Sequence, residues 1–142
     1  MQRSLGFYAD GLGLTCINRR VVTDAYIKRI VRLSLIDEIE VVMLGVDDGP
    51  CIVELLEYRG QEVPDLSNSP NDPGSGHLCL VVDDIDAVVR RAVGAGGAMV
   101  SACPERIASG PLEGGFSCYV RDPDGYIVEF LQTGRSVDTS AY

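Results

Sequence analysis

One pattern occurs twice in the chain. Ile52-Val53-Glu54-Leu55-Leu56 matches Ile127-Val128-Glu129-Phe130-Leu131 almost residue for residue. The surroundings repeat as well, since Leu12-Gly13 and Ala95-Gly96 each close an apolar helical stripe two strands earlier. A repeated helix and strand pattern implies two similar modules, and 142 residues are enough for one compact domain built from both. In each copy the glutamate alternates with apolar residues, so it shares a strand face with them. Glu54 goes with Ile52 and Leu56, and Glu129 with Ile127 and Leu131. A carboxylate on an apolar face is unfavourable unless something compensates it. A divalent cation is one compensation, and an open, wet sheet face is another. The single histidine, His77, begins the strand that opens the second half.

The second half reads as βαβββ. His77 to Val82 is a continuous apolar run, the pattern of a strand covered on both faces. Asp83-Asp84 offers N-caps, and Ile85, Val88, Val89, Ala92 and Val93 form a helical stripe that stops at Gly94 to Gly97. Ala98 to Ser101 is a short strand, followed by a loop rich in glycine and proline. Ser117 to Arg121 and Tyr126 to Gln132 form a hairpin around Asp122-Pro123-Asp124-Gly125, whose proline and glycine suit a type I turn. A simple hairpin register sets Tyr119 on the face opposite Glu129, unless a bulge at Gly125 intervenes.

The first half has the same plan without its opening strand. Leu5, Tyr8, Ala9 and Leu12 mark a helix, Leu14 to Asn18 a strand, and Ala25 to Ser34 a helical turn or two with Ile27, Ile30 and Val31 on one face. Ile39 to Val46 and Cys51 to Tyr58 are strands around the turn Asp47-Asp48-Gly49. Met1 to Arg3 is too short for a first strand, so an upstream segment or a partner chain is expected to complete the sheet. Residues 1–58 form the first module, 59–76 a linker, 77–133 the second module, and 134–142 a polar tail.

The net charge of −9 argues against nucleic acid and anionic membrane as partners. The basic run Ile27 to Arg32 reads as the wet side of a helix. Five cysteines, an odd number with no close pairs, read as reduced thiols that are mostly buried. The chain has neither a signal peptide nor a membrane-spanning run, so a cytoplasmic location is expected.

Three segments resemble the vicinal oxygen chelate superfamily of glyoxalase I, extradiol dioxygenases and bleomycin-resistance proteins. They are Phe7-Tyr8-Ala9-Asp10-Gly11-Leu12-Gly13-Leu14, Gly76-His77-Leu78-Cys79-Leu80-Val81-Val82-Asp83-Asp84-Ile85-Asp86 and Arg121-Asp122-Pro123-Asp124-Gly125-Tyr126-Ile127-Val128-Glu129. The resemblance implies an α+β fold of two βαβββ modules with curved, mainly antiparallel sheets around one divalent metal ion. Of the four ligand positions in that family, three match Glu54, His77 and Glu129. The fourth lies on the strand that this chain lacks. The ion it implies is Fe, Mn, Ni, Zn or Co. The activity it implies is that of a lyase or isomerase of glyoxalase I type, acting on a small oxygenated substrate through a metal-bound enolate. Glu54 and Glu129 would divide the roles of ligand and base. Extradiol dioxygenases place an active-site tyrosine at the spacing of Tyr119 from Glu129, which makes a dioxygenase the alternative. A metal-free antibiotic-binding module is a further alternative, and the family resemblance implies a homodimer.

Overall fold

A computed structural model describes residues 1–47, 49–61 and 69–134. Asp48 of the first turn, part of the linker and nearly all of the polar tail lie outside the described residues. The chain divides into two compact units, Met1–Leu66 and Ser67–Tyr142, with the division inside the stretch read as a linker.

The first unit begins with α1 (Gln2–Leu5), which continues as a π-helical stretch over Gly6–Gly11. The Phe7 and Tyr8 rings meet edge-on there, 5.0 Å apart, and both are buried. Strand β1 (Thr15–Val22), helix α2 (Ala25–Val31), strand β2 (Glu38–Gly45) and strand β3 (Ile52–Arg59) follow. The sheet order is β1-β2-β3, antiparallel throughout. As the central strand, β2 is mostly buried on both faces, whereas β1 exposes all but Val22. Ile27 and Val31 of α2 pack on a cluster of Val22, Ile36, Ile39 and Val41. Ile30, expected on the same face, is exposed instead, because α2 is a short helix that ends at Arg32 in the left-handed conformation.

The other face of β2 carries a buried carboxylate that the sequence reading did not single out. Glu40 is 4% exposed. Arg19 Nε donates to its Oε1 at 2.6 Å, and Arg59 donates to its Oε2. Arg59 also reaches Glu38 and Glu57, so four charged side chains on three strands surround Glu40. Glu57 is itself paired; Arg59 and the Met1 amine hold its carboxyl below the usual range, the amine contributing most.

The second unit contains β4 (His77–Val81), α3 (Ile85–Gly94), β5 (Ala98–Met99), β6 (Glu105–Arg106), β7 (Phe116–Arg121) and β8 (Ile127–Gln132). The order is β4-β8-β7-β5, with β6 pairing β7 farther along. β4 runs parallel to β8, and β7 is antiparallel to β8. Asp84 caps α3 by accepting from Ala87 N at 2.9 Å, as its position predicts. Ile85, Val88 and Ala92 of α3 are buried, together with Cys118, Val120, Val128 and Phe130 of β7 and β8. The expected βαβββ plan is present, with the two-residue β6 added inside the glycine-rich loop.

Strands β3, β2 and β1 of the first unit occupy the same order as β8, β7 and β5 of the second. Among the described residues nothing in the first unit corresponds to β4. Two burial expectations change. β4 is exposed on its odd-numbered face, with Val81 67% exposed, so it is not covered on both sides. Of the five free cysteines only Cys118 is buried. The others sit on edge strands, loops or the open sheet face, where a small apolar residue gains no cover. No helix among the described residues is long and apolar enough to cross a membrane.

Replacing Glu40 with alanine leaves Arg19 without this partner and takes one of three carboxylates from Arg59, and should lower the unfolding free energy by about 1–3 kcal/mol, read from urea midpoints. Gln at the same position should recover part of the loss. Burial, and secondarily the Glu129 charge, push the Cys118 thiol up to about 11. At pH 8 roughly a thousandth of it is thiolate, so alkylation should modify Cys118 long after the exposed Cys16, Cys51 and Cys103. Because this thiol keeps its proton to higher pH in the folded state than in the unfolded chain, stability should fall between pH ~9 and about 11. Peptide mass spectrometry over time checks the first outcome, and melting across that pH range the second.

Candidate metal centre

Glu129 stands in the middle of β8. Its neighbours are Tyr119 across the antiparallel β7 register and Cys79 in the parallel β4 register. Paired residues share a sheet face, and so do residues two apart along a strand. The face therefore presents His77, Cys79, Ser117, Tyr119 and Glu129 together.

The position of Tyr119 corrects the simple hairpin reading. Arg121 pairs Ile127, which leaves five residues, 122–126, in the connection. Gly125 N donates to Asp122 O at 3.0 Å, closing a type I turn, and Gly125 itself has φ +90°. Asp122 N then donates to Tyr126 O at 2.8 Å. The Asp122 carboxylate accepts from Asp124 N and Tyr126 N at 2.9 and 2.8 Å. The left-handed glycine absorbs one extra residue, which is the bulge condition named above, and it turns Tyr119 to the side of Glu129.

Both oxygens of Glu129 are engaged. Ser117 Oγ donates to Oε1 at 2.7 Å, and His77 Nε2 lies 3.1 Å from Oε2. The Tyr119 ring lies 5.2 Å from the His77 ring, tilted by 43°. Partial burial and the Glu129 charge raise the Tyr119 hydroxyl, and they push the Cys79 thiol up to about 11. Both groups therefore stay protonated at neutral pH, and the Cys79 thiol hydrogen-bonds to Glu129. Ser117 was not among the predicted site residues. Its alternation with Tyr119 along β7 was the available signal, and it becomes readable once the hairpin register is known.

An imidazole nitrogen and a carboxylate oxygen suit a borderline divalent ion. Two neighbouring ligands with bonds of about 2.1 Å to one ion stand roughly 3 Å apart, close to the separation seen here. His77 and Glu129 thus fit the group that the sequence implies. Among the described residues no cluster of three or more His, Cys, Asp or Glu side chains could hold an ion. Glu54 belongs to the first unit, on β3 opposite Met43, with its side chain exposed. Ile52 and Leu56 beside it are exposed as well, so the argument from a carboxylate on a covered apolar face applies to Glu129 and not to Glu54.

Comparison with known proteins gives this arrangement a context. The profile of the Glyoxalase/Bleomycin resistance protein/Dioxygenase superfamily matches residues 1–130. A lactoylglutathione lyase of Neisseria meningitidis is 28% identical over 144 aligned positions, covering 100% of this chain and 89% of that protein. A probable lactoylglutathione lyase of Synechocystis is also 28% identical, covering 97% of this chain and 91% of its own. Among solved structures, a glyoxalase family protein of Bacillus cereus superposes with a TM-score of 0.77 at 21% identity, covering 94% of this chain and 86% of that one. A glyoxalase I mutant of Zea mays gives a TM-score of 0.64 at 20% identity, covering 96% of this chain and 42% of its own. With its α+β fold and matched over nearly all of its length, the chain belongs to the Glyoxalase/Bleomycin resistance protein/Dioxygenase superfamily.

Proposed function

We propose that this protein is a divalent-metal-dependent lyase or isomerase of glyoxalase I type, acting on a small substrate with vicinal oxygens. The observation that carries the reading is the His77–Glu129 pair, 3.1 Å apart on one sheet face and backed by Ser117. The name borne by the Neisseria and Synechocystis relatives supports an adduct of glutathione and a small 2-oxoaldehyde as the substrate.

His77 and Glu129 would hold the ion, with Glu54 as the third ligand of the proposal. The ion would supply charge compensation for a substrate oxygen as it becomes anionic. The rest falls to the chain. One carboxylate takes the proton from the carbon bearing the hydroxyl and returns it to the neighbouring carbonyl carbon, while the hydroxyl proton passes to the former carbonyl oxygen, so no external oxidant is required. Ser117 fixes Glu129 Oε1, which leaves Oε2, the oxygen facing His77, to exchange partners. Glu54, exposed and without a side-chain hydrogen bond among the described residues, is the freer carboxylate and the better proton carrier. A homodimer accords with the outer edges of β3 and β4, each unpaired in its own sheet among the described residues.

One observation favours a second reading. Tyr119 lies on the same face as Glu129 and near His77, where a phenol could protonate or orient a ring-opened substrate, as an extradiol-type dioxygenase requires.

The test is metal retention together with turnover. Purified protein loaded with Ni²⁺, Zn²⁺, Mn²⁺, Co²⁺ or Fe²⁺ should retain about one equivalent after dialysis, and more firmly at higher pH, because protons compete for the ligands. Glu129→Gln and His77→Gln should each weaken retention at least ~10-fold while the melting midpoint moves by no more than about 4 °C. Turnover of the glutathione–methylglyoxal adduct should fall in parallel. Oxygen uptake with a catechol, and no adduct turnover, would favour the dioxygenase. Wild-type protein that retains no metal and turns over neither substrate would sink both readings and put a metal-free binding module first.

A further inference from the structure

Helix α2 stops at Val31, short of the Ser34 that its apolar spacing supports. The residue that ends it is Arg32, in the left-handed conformation at φ 56° and ψ 33°. That conformation suits glycine and is unfavourable for a residue with a Cβ atom. Continued at 3.6 residues per turn, residues 26–35 form a two-sided helix. Tyr26, Ile27, Ile30, Val31, Leu33 and Leu35 fall on one broad side, interrupted only by Ser34, and Lys28, Arg29 and Arg32 fall together on the other. The short helix uses only part of the apolar side. Ile27, Val31 and Leu33 pack on the cluster of Val22, Ile36, Ile39 and Val41. Ile30 and Leu35 are left 68% and 71% exposed, and Tyr26 is exposed as well.

The sheet beneath has bare apolar surface to match. Ile39 pairs with Tyr58, Val41 with Leu56 and Met43 with Glu54, so α2 rests on the same sheet face that displays Glu54. Successive same-face positions along β3 lie ~7 Å apart, which puts Glu54 one step beyond Leu56 and two beyond Tyr58. Leu56 and, past Glu54, Ile52 are exposed on that face. A strained helix stop, unused apolar residues on the helix and uncovered apolar residues on either side of one carboxylate thus occur together in the first unit.

We propose that α2 is a lid for the Glu54 carboxylate: it lengthens through Arg32 to Leu35 and moves from Tyr58 over Leu56, burying Ile30 and Leu35 and closing the face around Glu54. The short helix is the open state. Rewinding Arg32 to helical backbone relieves its left-handed strain, and Lys28, Arg29 and Arg32 stay toward water. Closure shields from water a carboxylate that must accept and return a proton. In that purpose the inference rests on the reading of Glu54 as the proton carrier.

The test compares two variants of the full chain. Arg32→Gly suits the short helix. Ser34→Leu completes the apolar side, and a leucine buried only in the lengthened helix favours that state by about tenfold or more. The Cα chemical shifts of residues 32–35 should turn helical in Ser34→Leu and stay non-helical in Arg32→Gly. Glu54 should couple to glycine ethyl ester, under carbodiimide activation, about threefold or more slowly in Ser34→Leu than in Arg32→Gly, while the exposed Glu105 reacts equally in both. The double variant should recover part of the rate, because the leucine is still present and only the helix is disfavoured. Unchanged shifts, or a lengthened helix with Glu54 labelled as fast as before, would each overturn the proposal. Protection of Ile30 and Leu35 that grows with protein concentration would overturn it too, because a second copy would then be the cover. Failure of the lyase reading is distinguishable, because it removes adduct turnover while leaving the shifts and the labelling pattern intact.

Discussion

The register between β7 and β8 decides what the second unit can do. Strand faces alternate with a period of two, so a shift of one residue exchanges every side chain between the helix-covered face and the open one. Here the parity is set by a turn of five residues in which Gly125 takes φ +90° and the buried Asp122 carboxylate binds two backbone amides. With that parity, Cys118, Val120, Val128 and Phe130 go into the core, while Ser117, Tyr119 and Glu129 go to the open face. The parallel register of β4 then brings His77 and Cys79 to the same place. One turn serves both the core and the site, which explains why the Asp-Pro-Asp-Gly segment is the most informative short motif in the chain.

The acidic character of the chain makes the contrast between its inward carboxylates informative. Glu40 and Glu129 both lie on strands with little exposure, and their surroundings treat them differently. Glu40 lies between the guanidinium groups of Arg19 and Arg59, so its charge is met within the protein and it serves the fold. Glu129 receives a hydroxyl and an imidazole. The serine supplies a hydrogen bond without neutralising the charge. A carboxylate oriented in this way, with no guanidinium group paired to it, is poised to meet a cation or a proton. The same residue type thus has a structural role where arginine reaches it and a chemical one where arginine does not.

Much of this was legible beforehand, for identifiable reasons. The Ile-Val-Glu strands, the α3 stripe and the Asp84 cap are local patterns that their own residues specify, and each formed, although Val93 at the end of the stripe is exposed. Placing Tyr119 required a decision that depends on one residue in a turn, and the simple register chose the wrong face. Ser117 went unnoticed for the same reason, since its role follows only from that parity. β6 has two residues and owes its pairing to β7, so no periodicity announces it. Ile30 and the exposed cysteines were assigned by residue type. Tertiary cover decided otherwise, because α2 has seven residues and a short helix shields only a narrow stripe.

The two copies of the repeated strand also show how duplication allows specialisation. β3 and β8 share a sequence pattern and a place in the sheet order. Their glutamates face different partners: Met43 stands opposite Glu54, and Tyr119 opposite Glu129. A methionine contributes no donor of any strength, so Glu54 keeps its side chain free. On β7 the same face carries a serine and a tyrosine, and Glu129 is held at both oxygens' reach by its neighbours. In the proposed chemistry a ligand must hold still and a base must move between two carbons. The difference between the partner strands β2 and β7, rather than any difference between the two glutamates, is what holds Glu129 in place and leaves Glu54 free.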